Sequence, residues 1–273
     1  MTIHIGCQTY TWQMSYDKYA GKLSQLLDVI QKAGYAGVEA EVCMLGSYYD
    51  DPGRLAGDLD KRALKLAALT LALPWTQAEE TEEERKEADR LIAYLRHFPG
   101  AKLILVQLPG GREGNLPERQ RNAMRIINEV GRRASEQGLV CAHHPNSPAH
   151  SLFRTQGDYD VMFSCMDERY VGYAPDSGHI ANGGMDALTL LRQTRSLIRH
   201  VHFKDISASG QWAAMGNGVI DHPAIVDMLR QTHYEGWIMV EEESEQAKAD
   251  PDAAALHNGA YMRRFQAMED ESK

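Results

Sequence analysis

The sequence predicts a (β/α)8 TIM barrel that forms a single domain over residues 1–273. Short apolar segments, rich in Val, Ile, Leu or Ala, recur at intervals of roughly 30 to 38 residues, as strands buried on both faces do. Amphipathic segments of helical period lie between them; one begins with the capping-box pattern Thr81-x-x-Glu84, and another, 253–268, is the expected closing helix. The predicted strands are 3–9, 37–42, 65–73, 102–108, 139–144, 170–176, 199–205 and 237–242.

Strands that alternate with helices form either a closed barrel or a doubly wound open sheet. The first strand is not followed by the G-x-G-x-x-G pattern of dinucleotide-binding sheets, and Gly110-Gly111 after the fourth lacks that pattern too. Polar residues instead follow nearly every predicted strand, where barrel enzymes build their sites. The closed barrel is therefore favoured.

Composition excludes several functions. The net charge is −9, from 29 basic and 38 acidic residues, and no Lys/Arg cluster suits a nucleic-acid phosphate backbone. The longest apolar segments are far shorter than the ~18 residues of a membrane span, and the N-terminus does not resemble a signal peptide. The four scattered cysteines lack a C-x-x-C pair, which indicates reduced thiols. We expect a cytoplasmic protein with an unstructured polar tail, 269–273, and no nucleic-acid or membrane partner.

The seventh and eighth predicted strands carry the clearest site pattern. His200, His202 and Lys204 alternate with apolar residues, so they share one strand face. Burying lysine in the barrel is costly without a partner, which makes this face a candidate site. In the eighth strand the same alternation directs Glu241, and with it Glu243, inward, where a carboxylate requires a cation.

Neighbouring strands add further polar candidates. The sixth strand ends at Asp176, with His179 following. The fifth ends in adjacent histidines that face opposite ways, and we assign His143 to the barrel interior on the same face as Cys141. An oxygen and imidazole set from strands five to eight suits one divalent ion, Mn, Co or Mg, with Zn also compatible. Substrate contacts are expected from His179, His200, Glu39, Trp12 and Gln107; Glu39 shares a face with Glu41, and Trp75 and Trp212 are further pocket candidates.

These segments resemble the xylose isomerase-like TIM-barrel superfamily of sugar isomerases, epimerases and dehydratases, over nearly the whole chain. The sharpest matches are residues 34–39, 176–179, 200–205 and 236–241. The resemblance implies that Asp176, His202 and Glu241 bind the metal and that His179 contacts substrate. The usual strand-five glutamate aligns with His143, which would be the fourth ligand. Losing that glutamate removes one of the two proton-transfer groups that sugar epimerases use.

Within the superfamily, the chain is most similar to the inosose (keto-inositol) dehydratase branch. The resemblance rests on the adjacent histidines of strand five, on Lys204 and on the acidic stretch 241–246 followed by Asp250-Pro251. It implies a metal-dependent lyase that abstracts a proton beside the carbonyl of a small polyhydroxylated ketone and loses water. Glu241, His143 and Lys204 are the expected catalytic residues.

Other functions stay open at this point. A ketose 3-epimerase or aldose–ketose isomerase would use the same proton abstraction, and a non-catalytic metal-binding accessory barrel would use none. A phosphodiesterase of the endonuclease IV type is disfavoured by the net charge of −9. Two assemblies, a homodimer and a homotetramer, are compatible with the sequence.

Overall fold

The predicted strands form one eight-stranded parallel sheet in the computed structural model, which describes residues 2–267. Along the sheet the order is β6-β5-β4-β3-β2-β1-β10-β7, and β8 pairs with β9 in a separate antiparallel ribbon. The strands are β1 Ile3–Gln8, β2 Gly37–Glu41, β3 Lys65–Leu73, β4 Lys102–Gln107, β5 Cys141–His143, β6 Val171–Tyr173, β7 Val201–Phe203, β8 Asp205–Ile206, β9 Trp212–Ala213 and β10 Gly236–Val240.

Parallel bridges join the two edge strands of this sheet. Tyr173 in β6 pairs with Ile198, and Asp176 pairs with His202 in β7. The backbone N–H of His202 also donates to the carbonyl of Pro175 at 2.8 Å. The strand ring is therefore continuous, as the barrel prediction requires, and the carboxyl ends of all eight strands open on the same side.

Helices follow the strands and cover the outside of the ring. The α-helices are α1 Tyr10–Gln13, α2 Tyr16–Tyr19, α3 Leu23–Lys32, α4 Pro52–Asp60, α5 Glu82–Leu95, α6 Leu116–Glu136, α7 Gln156–Cys165, α8 Ser177–Asn182, α9 Ala187–Gln193, α10 His222–Gln231, α11 Glu245–Ala249 and α12 Pro251–Ala267, and short 3-10 helices span Val42–Met44, Gly46–Tyr48 and Arg195–Leu197. The predicted capping box is present at α5, where Thr81 and Glu84 bond each other's backbone N–H. Met268 and the tail 269–273 lie outside the described residues.

The barrel floor is filled on one side by small apolar side chains. Ala68, Ile104 and Ala142 come from β3, β4 and β5, and Ala174 directly follows β6; the four form their own cluster and are fully buried. Each is followed two residues later by a side chain on the same face, since strand side chains alternate. This alternation places Thr70, Val106, His144 and Asp176 at the mouth of the barrel, directly above this floor.

Several strands end earlier than the sequence pattern suggests. β5 and β6 span only Cys141–His143 and Val171–Tyr173, and the seventh predicted strand divides into β7 and β8. The polar residues therefore lie at or just beyond the strand ends. No helix within residues 2–267 is both long and apolar enough to span a membrane.

Candidate active site and metal centre

Four side chains converge at the barrel mouth. They are His144 after β5, Asp176 after β6, His202 in β7 and Glu241 after β10, all buried, and each offers one ligand atom within 4.8 Å of the others. His144 Nε2 lies 3.8 Å from Asp176 Oδ2, and His202 Nδ1 lies 3.7 Å from Glu241 Oε2. Four successive positions of the ring thus contribute two nitrogens and two oxygens.

This cluster fits a divalent metal ion. Ligand atoms around a tetrahedral ion with bonds of about 2.1 Å are separated by about 3.4 Å, close to the distances observed here. Asp176 Oδ2, His202 Nδ1 and both ring nitrogens of His144 are buried and have no hydrogen-bond partner among residues 2–267. Burying such atoms unpaired is costly, and a cation would satisfy them. Imidazole and carboxylate together suit Mn, Co or Zn.

The N-terminus of α8 orients the Asp176 carboxylate toward the cluster. Asp176 is the N-cap of α8, and its Oδ1 accepts the backbone N–H of His179 at 2.8 Å. This capping bond fixes the carboxylate and leaves Oδ2 directed at His144 and Lys204. Burial opposes ionisation, but Lys204 and the neighbouring imidazoles outweigh it and hold the pKa of Asp176 well below its ordinary value.

Lys204 connects the cluster to the rest of the cavity. Its buried ammonium contacts Glu241 Oε1 at 2.8 Å, makes a short ion pair with Glu243 and lies 3.8 Å from Asp176 Oδ2. Burial favours the neutral amine, but these carboxylates dominate and raise the pKa of Lys204 well above its usual value. The same contact also shifts the pKa of Glu241. Burial raises this pKa, but Lys204 and His202 outweigh burial and lower it to about 2. Both groups are therefore charged.

His179 also contacts the Lys204 ammonium, and its hydrogen bonds define its tautomer. Its Nε2 lies 3.1 Å from Lys204 Nζ, and its Nδ1 lies 2.8 Å from Ser147 Oγ. An ammonium can only donate, so Nε2 accepts and the ring proton is on Nδ1. Burial, followed by the charge of Lys204, lowers the pKa of His179 to about 3, so the ring is neutral.

Glu39 supports the cluster from below. Its Oε2 lies 3.1 Å from His202 Nε2 and 2.6 Å from His200 Nε2, while its Oε1 accepts the Thr70 hydroxyl at 2.5 Å. Burial opposes ionisation, but His202 and His200 keep the pKa of Glu39 well below its usual range. A carboxylate behind a ligating histidine fixes its orientation and raises its basicity. Glu39 and His200 are fully buried and do not line the cavity, so their predicted substrate contact is wrong.

A cavity of about 130 Å³ opens above the cluster. Its wall combines acids, imidazoles and amides with an apolar side, a mixture that can bind hydroxyl groups and a carbon ring. The lining residues are Gln8, Tyr10, Gln13, Glu41, Thr70, Ala72, Val106, Leu108, Pro109, His144, Asn146, Pro148, His179, His202, Glu241 and Glu243.

The strand-five histidine is corrected by the structure. His144, not His143, lies with Asp176, because Ala142 faces the barrel interior and the alternation turns His143 outward. There the Nδ1 of His143 lies 2.9 Å from the carbonyl oxygen of Leu105, and its ring packs edge-on against Phe153. His143 therefore cannot provide the metal ligand or the catalytic group assigned to it.

The predicted aromatic and amide contacts are mostly structural. Trp12 is fully buried and donates from its indole N–H to Asp252 at 2.7 Å, which joins α1 to α12. Gln107 donates its amide to the carbonyl of Pro74, and Trp75 is fully buried. None of these three lines the cavity. Trp212 lies against the site instead, with its ring 5.4 Å from that of His179.

Sequence reasoning did not assign site roles to Glu41, Gln8, Tyr10 or Asn146, all of which line the cavity. The site role of Glu41 could have been predicted from the sequence, because Glu41 lies on the same strand face as Glu39 and near the end of a predicted strand. Gln8, Tyr10 and Asn146 also follow or end strands, but single polar residues there are common in any barrel.

A family model described as xylose isomerase-like TIM barrel matches residues 27–265. The chain belongs to this family. The resemblance predicted from the strand-end motifs is thereby confirmed, as is the TIM-barrel architecture at the level of the family.

Curated relatives of this family member are named inosose dehydratase. The protein of Lacticaseibacillus casei is 27% identical over 299 residues, covering 96% of this chain and 97% of that protein. The protein of Clostridium beijerinckii is 27% identical over 237 residues, covering 74% and 79% respectively.

Solved structures share the fold at lower identity. L-ribulose 3-epimerase matches with a TM-score of 0.76 and 19% identity over 99% of this chain and 97% of that one. The 3-keto-D-glucoside 4-epimerase of E. coli gives 0.74 and 17%, covering 96% and 100%. The IolI protein with a bound zinc atom gives 0.74 and 18%, covering 96% of each.

Proposed function

We propose that this chain is a divalent-metal-dependent lyase that removes water from a small cyclic keto-polyol of the inosose type. The observation that carries the proposal is the buried set His144, Asp176, His202 and Glu241, opening onto a cavity lined by polar groups. The name shared by the curated relatives supports the substrate class and the reaction.

The residues suited to hold the ion are His144, Asp176, His202 and Glu241. A divalent ion bound there would supply Lewis-acid polarisation of the substrate carbonyl, which acidifies the adjacent C–H bond. Glu41, Gln8 and Asn146 supply hydrogen-bonding groups for the substrate hydroxyls, and the apolar side of the wall contacts the carbon ring.

His179 is our candidate base. Its Nε2 is unprotonated and accepts from Lys204 Nζ at 3.1 Å, so it becomes free to take a proton when that ammonium turns to the substrate oxygen, while Ser147 Oγ fixes the ring from the other side. A base must first lie within reach of the proton that it removes. As the C–H proton moves to His179, negative charge develops on the carbonyl oxygen, and the ammonium of Lys204 beside His179 stabilises that charge.

The assay is direct. The chain is dialysed against a chelator, reloaded with Mn²⁺ or Co²⁺ and incubated in D2O with keto-inositols, ketohexoses and 3-keto-glycosides. We expect metal-dependent dehydration of a keto-inositol, detected by mass spectrometry and NMR. Deuterium entry with a stereoisomer as product would instead identify an epimerase or isomerase. Metal binding without any turnover would identify a non-catalytic barrel.

Glu39→Gln should weaken metal binding by about 10–100-fold, because the orientation and basicity of His202 depend on the carboxylate behind it. Competition with a chromophoric chelator measures the affinity. Glu87→Gln, in which the carboxylate bonds Tyr49 and Arg90 on the outside of the barrel, is the matched control and should bind metal normally. Equal affinities of the two variants would contradict the supporting role of Glu39.

A further inference from the structure

Glu41 is a second buried carboxyl group in the cavity wall. It is the last residue of β2, only 7% exposed, and lines the cavity that His179 and Glu241 also line. Its Oε1 accepts the side-chain N–H of Gln8 at 2.8 Å, and Gln8 in turn accepts the backbone N–H of Tyr10. The carboxyl group is thus held in a fixed position by a neutral amide.

The charges around Glu41 differ from those around the other cavity acids. Glu241 and Glu243 form ion pairs with Lys204, whereas the side chain that hydrogen-bonds the Glu41 carboxyl group among residues 2–267 is the neutral amide of Gln8. A buried carboxyl group without a paired cation favours its neutral form. The titratable groups that face it from the surrounding elements are Glu39, Glu241, His202, Tyr10 and Cys43.

These surroundings give Glu41 and Glu241 different protonation states. Burial, together with the charges of Glu241 and Glu39, raises the pKa of Glu41 to about 8, whereas Glu241 beside Lys204 is ionised. Two carboxyl groups whose environments separate their protonation states are suited to opposite roles. Lys204 can donate too, but it is committed to Glu241, Glu243 and His179.

We propose that Glu41 is the general acid that protonates the departing hydroxyl group, a role that rests on the proposed dehydration. His179 takes the proton from the carbon beside the carbonyl, and the electron pair of that C–H bond moves into an enolate. As the carbonyl re-forms, the enolate electron pair becomes the new C=C bond to the neighbouring carbon. The neighbouring C–O bond breaks as Glu41 transfers its proton to the oxygen, which leaves as water. Glu41 is then a carboxylate and His179 an imidazolium; one proton passing through solvent from His179 to Glu41 restores both.

The test separates proton abstraction from water loss. In Glu41→Gln the new amide oxygen can still accept the hydrogen bond from Gln8, but the side chain has no acidic proton to donate. Dehydration should therefore slow by about 10²–10⁴-fold. Deuterium exchange at the carbon beside the carbonyl should continue at a rate close to that of the wild type. Glu245→Gln, an exposed acid at the start of α11, is the control and should retain both rates. An equal loss of exchange and dehydration in Glu41→Gln would overturn the proposal.

A second measurement reports the protonation state without any turnover. Because burial raises the pKa of Glu41 from 4.5 to about 8, its contribution to stability is present below the lower value and lost as pH rises through the higher one. In metal-free buffer, Glu41→Gln should therefore gain thermal stability relative to wild type as the pH rises from 4.5 to about 8, and Glu245→Gln should not. A pH-independent difference would show an ionised Glu41 and overturn its role as acid.

The pH profile completes the test. Wild-type kcat/KM for dehydration should fall as the pH rises and Glu41 loses its proton, and the decrease should be absent in Glu41→Gln. A wild type that exchanges deuterium but never releases water would overturn the proposed dehydratase function. The stability measurement still decides whether Glu41 is a neutral acid, so the two failures are distinguishable.

Discussion

Replacing Glu241 with glutamine should reduce turnover by about 10²–10³-fold or more, because Glu241 holds the metal site and Lys204, the positive groups that would stabilise the developing negative charge. The carboxylate serves two partners: Oε2 belongs to the metal cluster, and Oε1 accepts from Lys204 at 2.8 Å. An amide replaces one of these oxygens with a donor and removes the negative charge. Steady-state kinetics with saturating Mn²⁺ and a metal titration of each protein measure the two consequences.

The neighbouring acid provides the matched control. Glu242 is equally buried, but its carboxylate accepts from Asn258 of α12 at 2.8 Å and from Ser244, away from the cluster. Glu242→Gln should therefore retain metal affinity even where it lowers stability. Turnover of Glu241→Gln at the wild-type rate would remove the cluster from the mechanism.

Lys204→Met should destabilise the metal-free protein by about 3–5 kcal/mol, the usual cost of removing one partner from a buried ion pair. Without the ammonium, the carboxylates of Glu241, Glu243 and Asp176 repel one another in a buried site. Added Mn²⁺ should recover much of the loss, because an ion in the cluster neutralises the same carboxylates. Chemical denaturation with chelator and with metal measures both values.

Lys102→Met is the control for this prediction. Lys102 is also largely buried, but its ammonium bonds the backbone carbonyl of Arg199, and burial lowers its pKa to about 8. Its replacement should cost less, and metal should not reverse the loss. A Lys204→Met protein as stable as wild type in chelator would show that the carboxylates are not held by this ammonium.

Strand alternation alone predicted most of the candidate site. In β7, apolar Val201 and Phe203 contrast with His200, His202 and Lys204, so the inward face can be recognised from the sequence. The sixth and eighth predicted strands end in acidic residues, and no apolar residue at those positions competes for the inward face. These segments therefore gave Asp176, His202 and Glu241 correctly as members of one cluster.

The same reasoning failed at β5 for a physical reason. Cys141 and Ala142 are both apolar, and a strand buried on both faces does not indicate which face is inward. The tertiary structure decides it: Ala142 packs in the barrel floor with Ile104 and Ala174, residues that are distant in sequence. Trp12 was misassigned because its partner, Asp252, is distant in sequence, and no local pattern reveals that contact.

The apolar floor affects how molecules can reach and leave the candidate site. Ala68, Ile104, Ala142 and Ala174 form a fully buried cluster beneath the metal-site residues, and Glu39 and His200 are fully buried as well. In the proposed dehydration, the ketone, the enone and the water would all pass through the mouth of the barrel. Product would then have to leave before the next substrate enters, so accumulated product should compete with substrate for the site.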